Sequence, residues 1–203
     1  MKIISHRGYW KEPLEKNRDV AFNRSFSLEF GTETDVRDRK GQLAVAHDPA
    51  TAYDMSLPSL LAMAPKHLLL ALNIKADGLA GLLKEQLEAA NITEYFVFDM
   101  AVPDMRDYFR LEMPVYTRLS EVEKVPAYLD QATGIWLDSF GAEWYGEAEL
   151  EELLKLGKPI CVVSADLHRR SNHAQWRLLA KFNHWKNITL CTDFPEQARE
   201  YFT

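Results

Sequence analysis

Short apolar runs alternate with longer amphipathic stretches along the whole chain, and this alternation constrains the fold more than any single residue does. Strands are expected at residues 2–5, 31–37, 68–74, 95–98, 114–117, 134–137, 159–164 and 189–191. Helices are expected between them, at 18–29, 57–64, 79–90, 102–110, 122–130, 147–156, 174–181 and 195–201. The helical period is clearest at Leu79, Leu82, Leu83 and Leu87, with charges in the intervening positions. Gly157 is a helix stop, and Pro195 a helix start with Thr192 or Asp193 near the cap. Strict alternation implies parallel strands joined by helical crossovers. Eight such units in 203 residues favour a compact α/β fold of the (β/α)8 TIM-barrel type with minimal insertions, in one domain spanning 1–203. An open doubly wound sheet is the alternative.

Composition narrows the class of partner. Five Trp, eight Tyr and ten Phe supply a core and exclude a disordered chain. A net charge of −6 argues against coating nucleic acid by charge alone, so no nucleic-acid partner is expected. The most apolar stretch, around 57–74, is interrupted by Pro58, Pro65, Lys66 and His67, so no stable membrane insertion is expected. The start Met1-Lys2-Ile3-Ile4-Ser5 has no leader pattern, and a cytoplasmic location is expected. Cys161 and Cys191 lie in apolar runs and read as buried, reduced thiols.

In such a fold, chemistry sits at the carboxyl ends of the strands. Polar residues crowd there: His6-Arg7, Glu33 and Asp35, His47, Asn73 and Lys75, Asp99, Arg118, Asp138, Ser164 and Asp193. Glu33 and Asp35 at i, i+2 share one strand face. Two carboxylates that close repel unless a cation lies between them or one is protonated. Two histidines, His6 and His47, suit a phosphoester cleavage that needs one proton removed and one delivered. Asp99 and Asp138 read either as hydrogen-bonding partners for sugar or polyol hydroxyls or as helix N-caps. Trp10 and Trp144 read as mouth or packed-loop aromatics.

His6-Arg7-Gly8, Asn17 before Ala21-Phe22, Glu33-Thr34-Asp35-Val36, His47-Asp48 and Thr192-Asp193-Phe194-Pro195 together resemble the glycerophosphodiester phosphodiesterase family, in the right order along the chain. The resemblance implies a (β/α)8 barrel that cleaves a small-molecule phosphodiester with one divalent cation, Mg²⁺ or Ca²⁺. It implies His6 and His47 as the general acid and base, Arg7 as a phosphate contact, and Asn17 and Lys75 as further phosphate-side residues. Glu33 and Asp35 would be metal ligands.

The chain departs from that family in three places. Where the family's third strand ends in an Ile-Glu-Ile-Lys-like run, this chain has Leu72-Asn73-Ile74-Lys75, so Asn73 would offer the metal a neutral amide oxygen. That change also admits an alternative, a non-catalytic barrel that binds a phosphorylated ligand. Lys16-Asn17-Arg18 stands where Glu-Asn-Thr is usual and adds positive charge on the phosphate side. Val163 to Arg170 replaces a Trp-Thr-Val-Asn-like run, and Arg169 there is expected to bind a charged group on the substrate.

Overall fold

The computed structural model describes residues 1–203. In chain order the elements are β1 (Lys2–His6), α1 (Asp19–Ser27), β2 (Gly31–Arg39), β3 (Gln42–Val45), β4 (Met55–Ser56), α2 (Leu57–Met63), β5 (Leu70–Ile74), α3 (Ala80–Ala89), β6 (Tyr95–Phe98) and α4 (Met105–Arg110). They continue as β7 (Tyr116–Leu119), β8 (Gly134–Leu137), α5 (Glu147–Lys155), β9 (Ile160–Val163), α6 (His173–Ala180), β10 (Ile188–Thr192) and α7 (Pro195–Phe202). Single 3-10 turns lie at Pro13–Glu15 and Ala165–His168. All eight expected strands form, with ends shifted by a few residues.

The chain divides into two compact units, and the division falls within β1. One unit comprises Ser5–Val115. Here β2 pairs in parallel with β5, and β5 with β6. A bridge between Val97 and Val115 extends the parallel order. Phe22, Leu57, Leu60, Leu72, Leu83 and Phe96 are fully buried and form its interior. The helices bury one stripe each; α1, for example, buries Ala21, Phe22, Ser25 and Phe26 and leaves its charged residues outside.

The second unit comprises Met1–Ile4 and Tyr116–Thr203. Strands β7, β8, β9 and β10 pair in parallel, in that order. Leu137, Ile160, Val162, Leu179, Ile188 and Leu190 pack at its centre. The near-continuous apolar strands are those of a parallel sheet covered on both faces. Cys161 and Cys191 are fully buried and unbonded to each other, as expected.

Two expectations fail locally. Residues 122–130 form turns instead of a helix. Pro126 removes a backbone donor and disfavours the helical region at Val125. Val122 and Val125 are 73% and 89% exposed, so no apolar face is buried to stabilise a helix. Ser120 Oγ instead accepts from the Val122 and Glu123 N–H groups, and Thr117 Oγ1 donates to Ala127 O. The second difference is a gain. Beyond Asp35 the chain continues as a hairpin in which β2 pairs antiparallel with β3, and β3 with β4. Lys40 and Gly41 both have positive φ, the two-residue turn suited to strand twist. Helix α7 starts at Pro195 as expected; its cap residue is Phe194, and Thr192 Oγ1 accepts the Phe194 N–H from two residues before. No helix is long and apolar enough to cross a membrane.

Candidate active site

The site assembles in the Ser5–Val115 unit, from the ends of β1, β2 and β5 and from the hairpin. The chain leaves β1 at a sharp corner. Arg7 and Gly8 both have positive φ, and the Gly8 Cα packs against α1 so closely that a Cβ would meet Ala21 Cβ at 2.7 Å. Thr32 Oγ1 accepts the Gly8 N–H at 2.9 Å and is bonded by Ser5 Oγ at 3.0 Å. The Arg7 N–H donates to Glu33 O at 2.9 Å, so the corner is tied to β2 at the level of the first acid. A buried polar network of this kind fixes orientation because each member is satisfied only in one arrangement.

Glu33 and Asp35 are buried on the same face of β2, and Asp35 lies in register with Asn73 on β5. Asp35 is the hub. Its Oδ2 accepts from Asn17 Nδ2 at 2.9 Å and lies 2.9 Å from Arg7 Nε, while Oδ1 lies 3.4 Å from Lys75 Nζ. Asn17 is held in turn by Thr34 Oγ1, which donates to its Oδ1 at 2.9 Å, and by its own N–H to Arg7 O. Asn17 also has positive φ. Backbone strain at both Arg7 and Asn17 is the kind that a surrounding network sustains at functional sites. Asn17 thus acts first as a clamp on Asp35, with one amide hydrogen left to offer a ligand.

Glu33 differs from its neighbour. Burial first, and the Asp35 charge second, push its carboxyl up to about 7, against the opposing pull of His6, Arg7 and Lys75. His6 Nε2 is 3.8 Å from Glu33 Oε2. Such a raised carboxyl beside a second acid is a charge deficit that a cation or a proton must fill.

No three side chains drawn from His, Cys, Asp and Glu are arranged to hold a metal ion. A hard cation prefers oxygen donors of any kind, however, and amide oxygens count among them. Asn73 Oδ1 and Asp35 Oδ1 are both buried oxygens without a hydrogen bond, and they sit on in-register positions of adjacent strands. With Glu33 on the same face as Asp35, these residues fit a hard divalent cation, with two carboxylates and one amide as donors.

His47 reaches the site by the hairpin. Ala46 N–H donates to Asp35 O at 3.1 Å, so β3 returns the chain to the level of the acids. The His47 side chain is 49% exposed and its Nδ1 pairs with Asp48 Oδ1 at 3.0 Å, which leaves Nε2 for a ligand. Arg37 Nη1 donates to His47 O and Nη2 to Lys75 O, joining the two segments. Arg37 was not singled out in the sequence, although its i, i+2 spacing from Asp35 places it on the same strand face. Arg7, Asn17 and His47 together line a cavity of about 400 Å³, shared with Lys16, Arg18 and Asp54.

The remaining expected residues divide. Asp99 stands one residue beyond β6 with positive φ, and it caps no helix; the α4 cap is Asp104. Asp138 and Arg169 belong to the second unit. Asp138 is no N-cap either, because the cap of α5 is Gly146. It is buried, and its Oδ1 accepts from Ser139 N–H and from His168 Nε2, each at 2.7 Å. His168 belongs to the 163–170 stretch, and its partner Asp138 lies on another element thirty residues away. Arg169 closes the 3-10 turn in the left-handed region. Trp144 Nε1 donates to Asp138 O, and Trp10 lies under Lys16 Nζ, 4.2 Å from its ring centre.

Solved structures with the same fold include three glycerophosphodiester phosphodiesterases. The enzyme from Agrobacterium tumefaciens str. C58 matches with a TM-score of 0.73 at 15% identity, over 98% of this chain and 99% of the other. The one from Thermotoga maritima gives 0.72 at 14% identity, over 98% and 96%. A glycerophosphoryl diester phosphodiesterase from Parabacteroides distasonis ATCC 8503 gives 0.69 at 13%, over 98% and 85%. At these identities the likeness concerns the fold, which is the α/β fold of the (β/α)8 class expected from the alternation. No family model and no curated protein matches the chain in sequence.

Proposed function

We propose that this chain is a metal-dependent phosphodiesterase acting on a small glycerophosphodiester-like molecule. The observation that carries it is the buried Glu33–Asp35 pair beside His6, Arg7 and Lys75, with Asp35 in register with Asn73, whose oxygen is unbonded, and with Arg7 lining the same cavity as His47. The fold likeness to phosphodiesterases supports the same reading.

Glu33, Asp35 and Asn73 would hold one divalent cation, Mg²⁺ or Ca²⁺. When bound, such an ion polarises a phosphoryl oxygen and neutralises its charge. Arg7 and Lys75 bind the equatorial oxygens and stabilise the charge that develops on them. One of His6 and His47 takes the proton from the attacking oxygen, of water or of a neighbouring substrate hydroxyl. The other gives a proton to the leaving alkoxide, so that an alcohol departs. Asn17 keeps Asp35 in place throughout.

Cleavage of an aryl phosphodiester and of glycerophosphodiesters, each with Mg²⁺, Ca²⁺ or Mn²⁺ and with a chelator, tests this. Cation-dependent release of alcohol is expected. A second reading, a phosphate-binding barrel without turnover, draws on Asn73 in place of a third acid. Failure to cleave any diester with any of the cations would favour it.

A further inference from the structure

The cavity that contains His47 extends well past the residues the chemistry needs. Besides Arg7 and Asn17 it is lined by Lys16, Arg18, Thr51 and Asp54. Three cationic side chains therefore face one cavity in a chain whose net charge is −6. Their partners are unequal. Arg7 is engaged by Asp35. Arg18 reaches Tyr53 O at 2.8 Å and Asp54 at 3.3 Å, but its side chain is still 41% exposed. Asp54 is itself occupied by the Thr51 N–H and hydroxyl. Asp48, also in the lining, turns one oxygen to His47 Nδ1 and is otherwise solvated, 91% exposed. Lys16 pairs with no carboxylate; its ammonium rests on the Trp10 ring, which holds it in place without neutralising it.

The reacting diester carries one negative charge, and Arg7 and Lys75 meet it. Lys16, with part of Arg18, is left over. We propose that these two residues form a subsite for a second anionic group, a phosphate monoester carried on one of the diester's alcohols. Arg supplies a fork for two phosphate oxygens, and Lys a point charge that moves with its stem. A cavity of about 400 Å³ has room for an alcohol and its phosphate beside His47. The same charges repel a cationic alcohol such as choline. This inference rests on the proposed phosphodiesterase reading and names its substrate class.

Two measurements separate the fate of the subsite from that of the reaction. In the first, kcat/KM is compared for glycerophosphocholine, glycerophosphoglycerol and glycerophosphoglycerol bearing a terminal phosphate. The phosphorylated diester is expected to be favoured about tenfold over the neutral one, through KM, with the choline diester last. Lys16→Gln and Arg18→Gln should each bring that ratio towards one. In the second, calorimetry with glycerol 3-phosphate and glycerol 1,3-bisphosphate requires no turnover. The bisphosphate should bind about tenfold tighter to the wild type, and the advantage should shrink in Lys16→Gln. Equal binding of the two, or an advantage that survives both substitutions, overturns the subsite. Retained discrimination in binding with no diester cleaved overturns the reaction and leaves the subsite standing.

Discussion

Replacing Glu33 by Gln should make the unfolding stability of this protein insensitive to one titration that the wild type undergoes. Glu33 is buried, and its carboxyl is raised from 4.5 to about 7, by burial first and by Asp35 second. The folded state therefore holds a proton that the unfolded chain has released between those values. Where the unfolded state binds fewer protons, stability falls as pH rises. Glu33 thus contributes full stability below about pH 4.5 and loses it progressively up to pH 7. At 1.36 kcal/mol per pH unit, the window from 4.5 to about 7 corresponds to a loss on the order of 3 kcal/mol. Glu33→Gln keeps the shape but cannot ionise. In the presence of a chelator, urea unfolding of the two proteins at several pH values should give similar stabilities near pH 4.5. The variant should be ahead by up to about 3 kcal/mol above pH 7. A divalent cation reverses the balance, because it requires the carboxylate. Mn²⁺ binding at pH 6 should release close to one proton, seen as heats that depend on the buffer. Stability curves that run parallel within about 0.5 kcal/mol from pH 4.5 to 8 would refute this account of Glu33.

Other substitutions test the remaining links. His6→Ala and His47→Ala should each lower turnover about 10²–10⁴-fold, while Mn²⁺ binding measured by electron paramagnetic resonance persists. Gly8→Ala forces a left-handed alanine and a Cβ 2.7 Å from Ala21, so denaturant unfolding should show a loss of about 2–5 kcal/mol. Thr32→Val removes the acceptor for Gly8 N–H and a partner of Ser5, and should cost about 2–4 kcal/mol by the same measurement. Val125→Ser, at a fully solvated turn position, should stay within about 0.5 kcal/mol of wild type.

What could be read from the sequence depended on whether the signal was local. Most of the strands announced themselves as apolar runs because they lie in a nearly covered parallel sheet, as β5 does with all five residues buried. Strand β3 gave a weaker signal. The apolar run that ends at His47 is short, and its antiparallel partner is β2, a strand read as ending at Arg37, so the hairpin was not expected. The missed hairpin matters for function, since it alone carries His47 back to the level of Asp35. The expected helix over 122–130 failed for the converse reason. Its residues have a plausible helical spacing, but no apolar surface receives Val122 and Val125.

The site shows the same division. The pairing of Glu33 with Asp35 follows from i, i+2 spacing on one strand, and the nearness of Asn73 to Asp35 from the parallel order of β2 and β5. The clamp made by Asn17 does not follow, because it needs left-handed backbone at Arg7 as well as at Asn17, and although Asn tolerates that region Arg gives no sign of it. Nor does the Asp138–His168 pair, whose members come from different elements thirty residues apart. Local chemistry names the groups that can ionise or ligate. Only long-range packing decides which of them is deprived of water, and Glu33 acquires its unusual carboxyl from that deprivation more than from any neighbour in sequence.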